Sequence, residues 1–174
     1  MPNWVDVKTS ITGTKEKLDI LWDLLDKARS EGKKLCETFR PMPPVLLTIC
    51  TGGNKIDGVS VSLWRTVEGK NVAIPKEELD SLVKEYGTAS WYDWALTNWG
   101  MKWDHPLKSG SDDWTPDPEL TRKDRSISMR LQCPWSPPDA LFQHIANTYG
   151  VTISTRLSGE WDGKKSMSWS PEAE

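Results

Sequence analysis

The sequence predicts an α+β fold in which helices cover one face of an antiparallel sheet. A strand pattern of alternating apolar and polar residues precedes a helix pattern near the N-terminus, and a strand–helix–strand pattern recurs in the last third of the 174-residue chain. Two βαβ units, one at each end and joined in one sheet by right-handed crossovers, describe a ferredoxin-like sandwich. We therefore expect one ferredoxin-like domain over 1–174, with a tryptophan-rich helical and loop insertion over 70–124.

The first part of the chain predicts two strands and a helix. Residues 4–11 alternate between apolar and polar side chains, which indicates a half-buried strand. Thr14 is placed to cap a helix over 15–30, whose apolar residues recur at helical spacing, and Gly32 follows it. A second alternating segment, 59–67, predicts another strand.

The middle of the chain predicts two helices and then a loop. Pro75 opens a helix pattern that ends at Gly87. Ser90 is placed to cap a short helix that Gly100 stops. The polar segment 104–124, which contains several prolines, is expected to be a long loop and the most mobile part of the chain.

The last third repeats the opening plan. Alternation predicts strands over 126–133 and 151–158, and the helix between them, over 138–149, starts after a cap at Ser136. The first of these strands should neighbour the N-terminal strand of the chain. Asp162-Gly163 is a turn sequence that leads into a final strand.

Composition and cysteine usage favour a cytoplasmic protein. No apolar run approaches the roughly 18 residues that a membrane helix needs, and the first residues lack the basic and apolar regions of an export signal. Cys36, Cys50 and Cys133 are odd in number and widely spaced, which suits reduced thiols. The net charge is −3 and no basic stripe is visible along the chain, although a patch assembled by folding from distant residues stays open.

Tryptophan is the unusual residue of this chain, with eleven copies. An indole buries a large area and needs a partner for its N–H, so these residues form either an aromatic core or a recognition surface. We expect Trp94, on the apolar stripe of a capped helix, to be structural. Trp103, beyond Gly100 and next to the polar segment, is expected at the surface. Gly100 would allow a positive φ or a close backbone approach between two indoles.

Four unusual strings occur in a fixed order. They are Met1-Pro-Asn-Trp4, Pro41-Met-Pro43, Trp91-Tyr-Asp-Trp94 continuing into Asn98-Trp-Gly-Met-Lys-Trp-Asp104, and Pro134-Trp-Ser-Pro-Pro138. In this order they resemble the phage- and plasmid-borne family with the YubB-type ferredoxin-like domain. The resemblance covers the termini and the middle of the chain, but covers 45–74 and 105–125 poorly. Met101, where members commonly carry threonine, and Pro134, where they carry a small residue, depart from the family pattern.

The resemblance implies the ferredoxin-like fold and an origin on a mobile genetic element, and brings no established activity. We expect a non-catalytic binding protein that contacts a host or phage macromolecule, foremost a protein, and a counter-defence role fits this setting by analogy. One alternative is a single-stranded nucleic-acid-binding module that stacks bases on rings such as Trp4 and Trp64 of an open sheet face. The acidic charge balance counts against it. The other alternative is an enzyme of unknown class.

The candidate binding residues lie in, or directly after, two of the tryptophan-containing strings. They are Trp99, Lys102, Trp103, Asp104, His105 and Trp135. Lys102 is placed to stack on a ring or to pair with Asp93 or Asp104. Trp135, just before a helix, is placed to act as a hydrophobic staple. His105 is expected to be a solvated loop residue.

Residues for catalysis and metal binding are scarce. The chain has two histidines and no Cys-x-x-Cys pair, so no ligand set has metal-binding spacing. Thr51-Gly-Gly-Asn54 lacks the lysine of a phosphate loop. The carboxylates Asp112, Asp113, Asp117 and Glu119 have no apolar frame that would tune their pKa values. We therefore expect no catalytic residue, no metal and no cofactor.

Overall fold

The computed structural model describes residues 3–108, 110, 118–160, 163 and 165–172. In chain order its elements are β1 (Trp4–Thr12), α1 (Lys15–Ser30), α2 (Leu35–Phe39), α3 (Pro44–Leu47), β2 (Cys50–Ile56), β3 (Val59–Val67), β4 (Lys70–Ala73), α4 (Lys76–Tyr86), α5 (Trp91–Trp99), β5 (Glu119–Lys123), β6 (Ser126–Pro134), α6 (Asp139–Tyr149), β7 (Thr152–Gly159) and β8 (Ser166–Trp169). Helices and antiparallel sheets together confirm the α+β fold. Within the described ranges, no helix is both long enough and apolar enough to span a membrane.

The chain divides into two compact units. The first comprises Met1–Pro41 and Asn98–Glu174, and the second comprises Met42–Thr97. The second unit begins and ends earlier in the chain than 70–124, the segment that the sequence marks as an insertion. A single domain with that insertion stays a prediction.

The first unit contains an antiparallel sheet in the strand order β5-β6-β1-β7-β8. β1 lies between β6 and β7, so α6 connects two strands that flank β1. β5 lies on the far side of β6 and continues into it along the chain. The predicted pairing of the strands over 4–11 and 126–133 is confirmed, with Val7 opposite Leu131.

Two helices cover the face that the odd-numbered residues of β1 form. Val5, Val7 and Ile11 are buried on this face, while α1 packs beside β6 and α6 packs beside β7 and β8. The helices contribute the buried side chains Leu18, Leu21, Leu25, Leu141, Phe142 and Ile145. The predicted cap of α1 is confirmed, because the Thr14 hydroxyl accepts a hydrogen bond from the Lys17 N–H. The even-numbered residues of β1 lie on the opposite face of the sheet, which is polar.

The second unit contains a three-stranded antiparallel sheet in the order β2-β3-β4. The strand predicted over 59–67 is confirmed as β3, but it belongs to this sheet. An ion pair between Arg65 and Glu78 joins β3 to α4. The strands predicted over 4–11, 126–133 and 151–158 lie in one antiparallel sheet, as expected. The expectation that β3 joins them is wrong, because alternation indicates a strand without indicating which sheet it joins.

The segment 104–124 is also different from the long loop that its composition predicts. Glu119–Lys123 form β5, whose pairing with β6 places Leu120 opposite Met129. Leu120 is the one apolar residue of this strand, so the alternation of apolar and polar residues is too weak to predict it. The strand forms because it pairs with β6. Asp112, Asp113 and Asp117 lie outside the described residues.

Candidate functional site

Lys102, Trp103 and Trp135 meet at the surface of the first unit, and we call these three residues the indole cluster. The Lys102 Nζ lies 4.4 Å from the centroid of the Trp103 ring and 5.0 Å from that of the Trp135 ring. The two ring centroids are 6.4 Å apart. These distances are in the range of cation–π contact. Trp103 is 43% exposed and Trp135 is 46% exposed, so two large apolar rings border solvent on either side of one ammonium group.

A close contact between Gly100 and the start of α6 brings the two halves of the cluster together. Gly100 has φ +83°, and a Cβ added to it would lie 2.9 Å from the backbone nitrogen of Asp139. The Ser136 hydroxyl donates to the Gly100 carbonyl at 2.6 Å. The predicted positive φ is thus confirmed, while the close approach is to Asp139 and not between two indoles. Ser136 was predicted to cap α6, but Pro138 holds the cap position and no side chain caps it.

Trp135 has a strained backbone. Its φ is +68°, which is a genuine outlier for a bulky residue. The Ser136 N–H donates to the Pro134 carbonyl at 2.9 Å across it, the hydrogen bond of a three-residue turn, and this positive-φ form is rare. The Trp135 N–H donates to the Asn3 carbonyl at 2.8 Å and fixes the turn to the strand before β1. Strain of this kind persists where the surrounding structure over-determines it, and it is frequent at binding sites.

Asp104 directly follows Trp103 in the chain, and its side chain caps α2, which lies far away in the sequence. Its carboxylate accepts hydrogen bonds from the backbone N–H groups of Cys36 at 2.6 Å and Glu37 at 2.8 Å. These are donors of the first turn of α2, which have no partner within the helix. Burial raises the pKa of Asp104, and the two N–H donors oppose that rise. Asp104 therefore has a structural role here.

His105 is buried, so the expectation of a solvated loop histidine is wrong. Its Nε2 lies 3.1 Å from the Gln132 nitrogen and must accept, since a backbone N–H only donates. Its Nδ1 consequently carries the hydrogen and donates to the Pro106 carbonyl at 2.7 Å. The ring thus gives the Gln132 backbone N–H of β6 a hydrogen-bond acceptor beyond Arg130, where the pairing of β6 with β5 has ended. The sequence gives no sign of this, because the partner lies on a distant strand.

Trp99 is likewise structural in this fold. It is 6% exposed, and its indole N–H donates to the Arg40 carbonyl at 2.8 Å. Trp94, expected to be structural, is 7% exposed, and the Ser90 hydroxyl accepts from the Asp93 N–H at the start of its helix, as predicted. Of the six candidate residues, the structure thus places Lys102, Trp103 and Trp135 together at the surface.

Trp4 is a neighbour of the cluster that the candidate set left out. It lines a cavity of about 20 Å³ together with Trp103 and Pro134. In the sheet it is the partner of Pro134, the residue before Trp135. Only the register of β1 against β6 reveals this proximity.

The thiols and carboxylates of the described residues do not assemble a metal centre. The part of the chain that the structure describes holds no group of three or more His, Cys, Asp and Glu side chains that could bind a metal ion. Cys36 and Cys133 are buried and free, and burial raises the pKa of both thiols. Such thiols carry little thiolate at neutral pH, so they are poor nucleophiles.

Comparisons with known proteins leave the family open. No family model matches the chain, and no curated protein matches it. Among solved structures, the protein api92 from Yersinia pseudotuberculosis, described with the family model DUF1281, matches with a TM-score of 0.45 and 11% identity. The match covers 98% of this chain and 95% of that chain. A likeness this weak carries no argument about fold or function.

Proposed function

We propose that this chain is a non-catalytic binding protein that contacts another protein through the indole cluster. One observation carries the proposal: Trp103 and Trp135 expose almost half of their surface on either side of the Lys102 ammonium. Large exposed aromatic rings with a nearby cation are the residue types that dominate binding energy at protein interfaces. Two backbone hydrogen bonds hold the turn that carries Trp135, so its backbone is positioned before any partner arrives, which lowers the entropic cost of binding.

The chemistry of the cluster indicates what its partner presents. The indole faces need an apolar side chain, because their remaining exposed surface gains most from burial. The ammonium gives the surface beside the rings a positive charge, which favours a partner that is not itself positively charged at this point. The proposed partner therefore places an apolar side chain against the two rings.

The proposal also includes the finer fold class of the protein, its origin and the place where it acts. We infer a ferredoxin-like sandwich in the first unit, supported by the order β5-β6-β1-β7 and by the placement of β1 between the strands that α6 connects. The origin on a phage or plasmid, the action in a bacterial cytoplasm and a counter-defence role rest on the four ordered sequence strings. A protein of this origin would act on a component of its host or of the element itself.

The test is affinity capture from bacterial lysate, with and without nuclease, followed by capture with variants. Trp103→Ala and Trp135→Ala should each remove the captured protein, and nuclease should leave the capture unchanged. Trp22→Ala is the matched control, because Trp22 is also an indole under a cation, with the Arg29 guanidinium 5.7 Å from its ring. Equal capture by all variants, or loss of capture with nuclease, would contradict the proposal.

A further inference from the structure

The open face of the five-stranded sheet carries a row of three cations that the chain brings together from distant segments. Lys8 of β1 lies directly opposite Arg130 of β6 on one side and Arg156 of β7 on the other. Neighbouring strands are about 5 Å apart, so the three side chains start within about 10 Å of one another. All three are exposed. We call Arg130, Lys8 and Arg156 the cation row.

Only one member of the cation row is neutralised by carboxylates. The Arg130 guanidinium contacts the Asp6 carboxylate at 3.0 and 3.3 Å and the Glu119 carboxylate at 3.2 Å. Among the described residues, Lys8 and Arg156 have no ion pair. Like charges directly opposite each other destabilise a sheet. Together with these two carboxylates the cation row carries a net charge of +1, and Lys8 and Arg156 lie side by side without an ion pair to any described residue, at a cost in stability.

A row of hydroxyl groups runs alongside the cation row. Ser10 lies two positions after Lys8 in β1. The residues level with it on the other four strands are all serine or threonine: Thr121, Ser128, Ser154 and Ser168. The Ser154 and Ser168 hydroxyls bond to each other, and Ser168 also donates to the Ile153 carbonyl. The other three hydroxyls of the row can donate hydrogen bonds to anionic oxygens. The two rows border one shallow depression of about 980 Å³ that opens to solvent. Most of the residues that line it are polar, and Met129 and Met167 add apolar surface.

We propose that this face binds the sugar–phosphate backbone of a single-stranded nucleic acid, independently of the indole cluster. The cation row takes the phosphates, and the hydroxyl row donates to phosphate and sugar oxygens. An open, extended face suits a polymer better than a small anion, which needs an enclosed site. A flexible single strand can follow a sheet surface. Trp64, expected to stack bases on an open sheet face, lies in β3 of the three-stranded sheet.

Fluorescence anisotropy with labelled oligodeoxythymidine tests the proposal. The double variant Lys8→Gln/Arg156→Gln should weaken binding at least tenfold and lower the slope of log affinity against log salt by about 1.4, since each phosphate contact on a single strand contributes about 0.7. The control Lys27→Gln/Lys33→Gln changes the net charge equally on exposed residues in and just after α1, and it should bind like the native protein. Trp103→Ala should also keep its affinity, which separates this surface from the indole cluster.

The folding of the double variant provides a second readout. Removing two like charges from adjacent strands should leave its melting temperature unchanged or higher, so lost binding could not come from unfolding. Several results would overturn the proposal: no binding by the native protein, an equal loss in the control, equal affinity for a duplex of the same sequence, or equal affinity for polyglutamate. The last result would assign the face to acidic polypeptides.

Discussion

Replacing Gly100 by alanine should destabilise the protein much more than the same change at Gly32. Both glycines have a positive φ, +83° and +71°, so each alanine incurs about 1–2 kcal/mol for a left-handed conformation. At Gly32 an added Cβ has no heavy atom within 4 Å. At Gly100 it would lie 1.8 Å from the Asp139 Oδ1 and 2.9 Å from the Asp139 nitrogen. The carboxylate can rotate away, but the backbone nitrogen moves only with α6.

Overpacking of this kind costs about 1–3 kcal/mol, so Gly100→Ala should lower the free energy of unfolding by about 1–3 kcal/mol more than Gly32→Ala. Urea unfolding followed by circular dichroism measures both variants. Adding Asp139→Ala to Gly100→Ala should recover only part of the loss, since the backbone contact remains. A difference below about 0.5 kcal/mol between the two glycine variants would refute the close approach that brings the indole cluster together.

Three further predictions concern strain, titration and burial. Trp135→Gly should be more stable than Trp135→Ala by about 1 kcal/mol in urea unfolding, because glycine adopts φ +68° without strain; the opposite order would contradict this. Burial raises the pKa of Asp104, so the folded protein keeps this carboxyl group protonated to a higher pH than the unfolded chain does. The free energy of unfolding therefore falls as the pH rises from about 4 through the raised pKa. The unfolding free energy of the native protein relative to Asp104→Asn should fall over that range, and a pH-independent difference would argue against it. Trp94→Ala should cost about 3–5 kcal/mol, and Trp103→Ala about 1 kcal/mol or less; an earlier melt for Trp103→Ala would reverse the assignment.

The elements that the sequence predicts well are those whose side chains face a single layer at a fixed period. The strand over 4–11 and the helix over 15–30 both match the structure, since each buries one apolar face against the same core. β5 could not be predicted in this way, because its pairing with β6 stabilises a segment with one apolar residue. The three-stranded sheet shows the same limit, as β4 is exposed throughout and has no buried face to create a pattern.

The surface positions of Lys102 and Trp103 follow from their place in the chain, but their partners do not. Trp103 meets Trp135 where the Ser136 hydroxyl bonds to the Gly100 carbonyl, a contact between distant parts of the chain. The cation row is a still clearer case, since its members lie on three strands and only the register makes them neighbours. Local sequence contains the residue types of a site, and the long-range pairing decides which of them meet.

The affinity of a purified partner for Trp103→Ala is the sharpest test of the indole cluster. Titration calorimetry should show a loss of about thirtyfold, which corresponds to about 2 kcal/mol, while Trp22→Ala binds like the native protein. The melting temperature of Trp103→Ala should fall by a few degrees at most, because the ring is 43% exposed and its removal should cost about 1 kcal/mol or less. Native affinity in Trp103→Ala would contradict the assignment of this surface to partner binding.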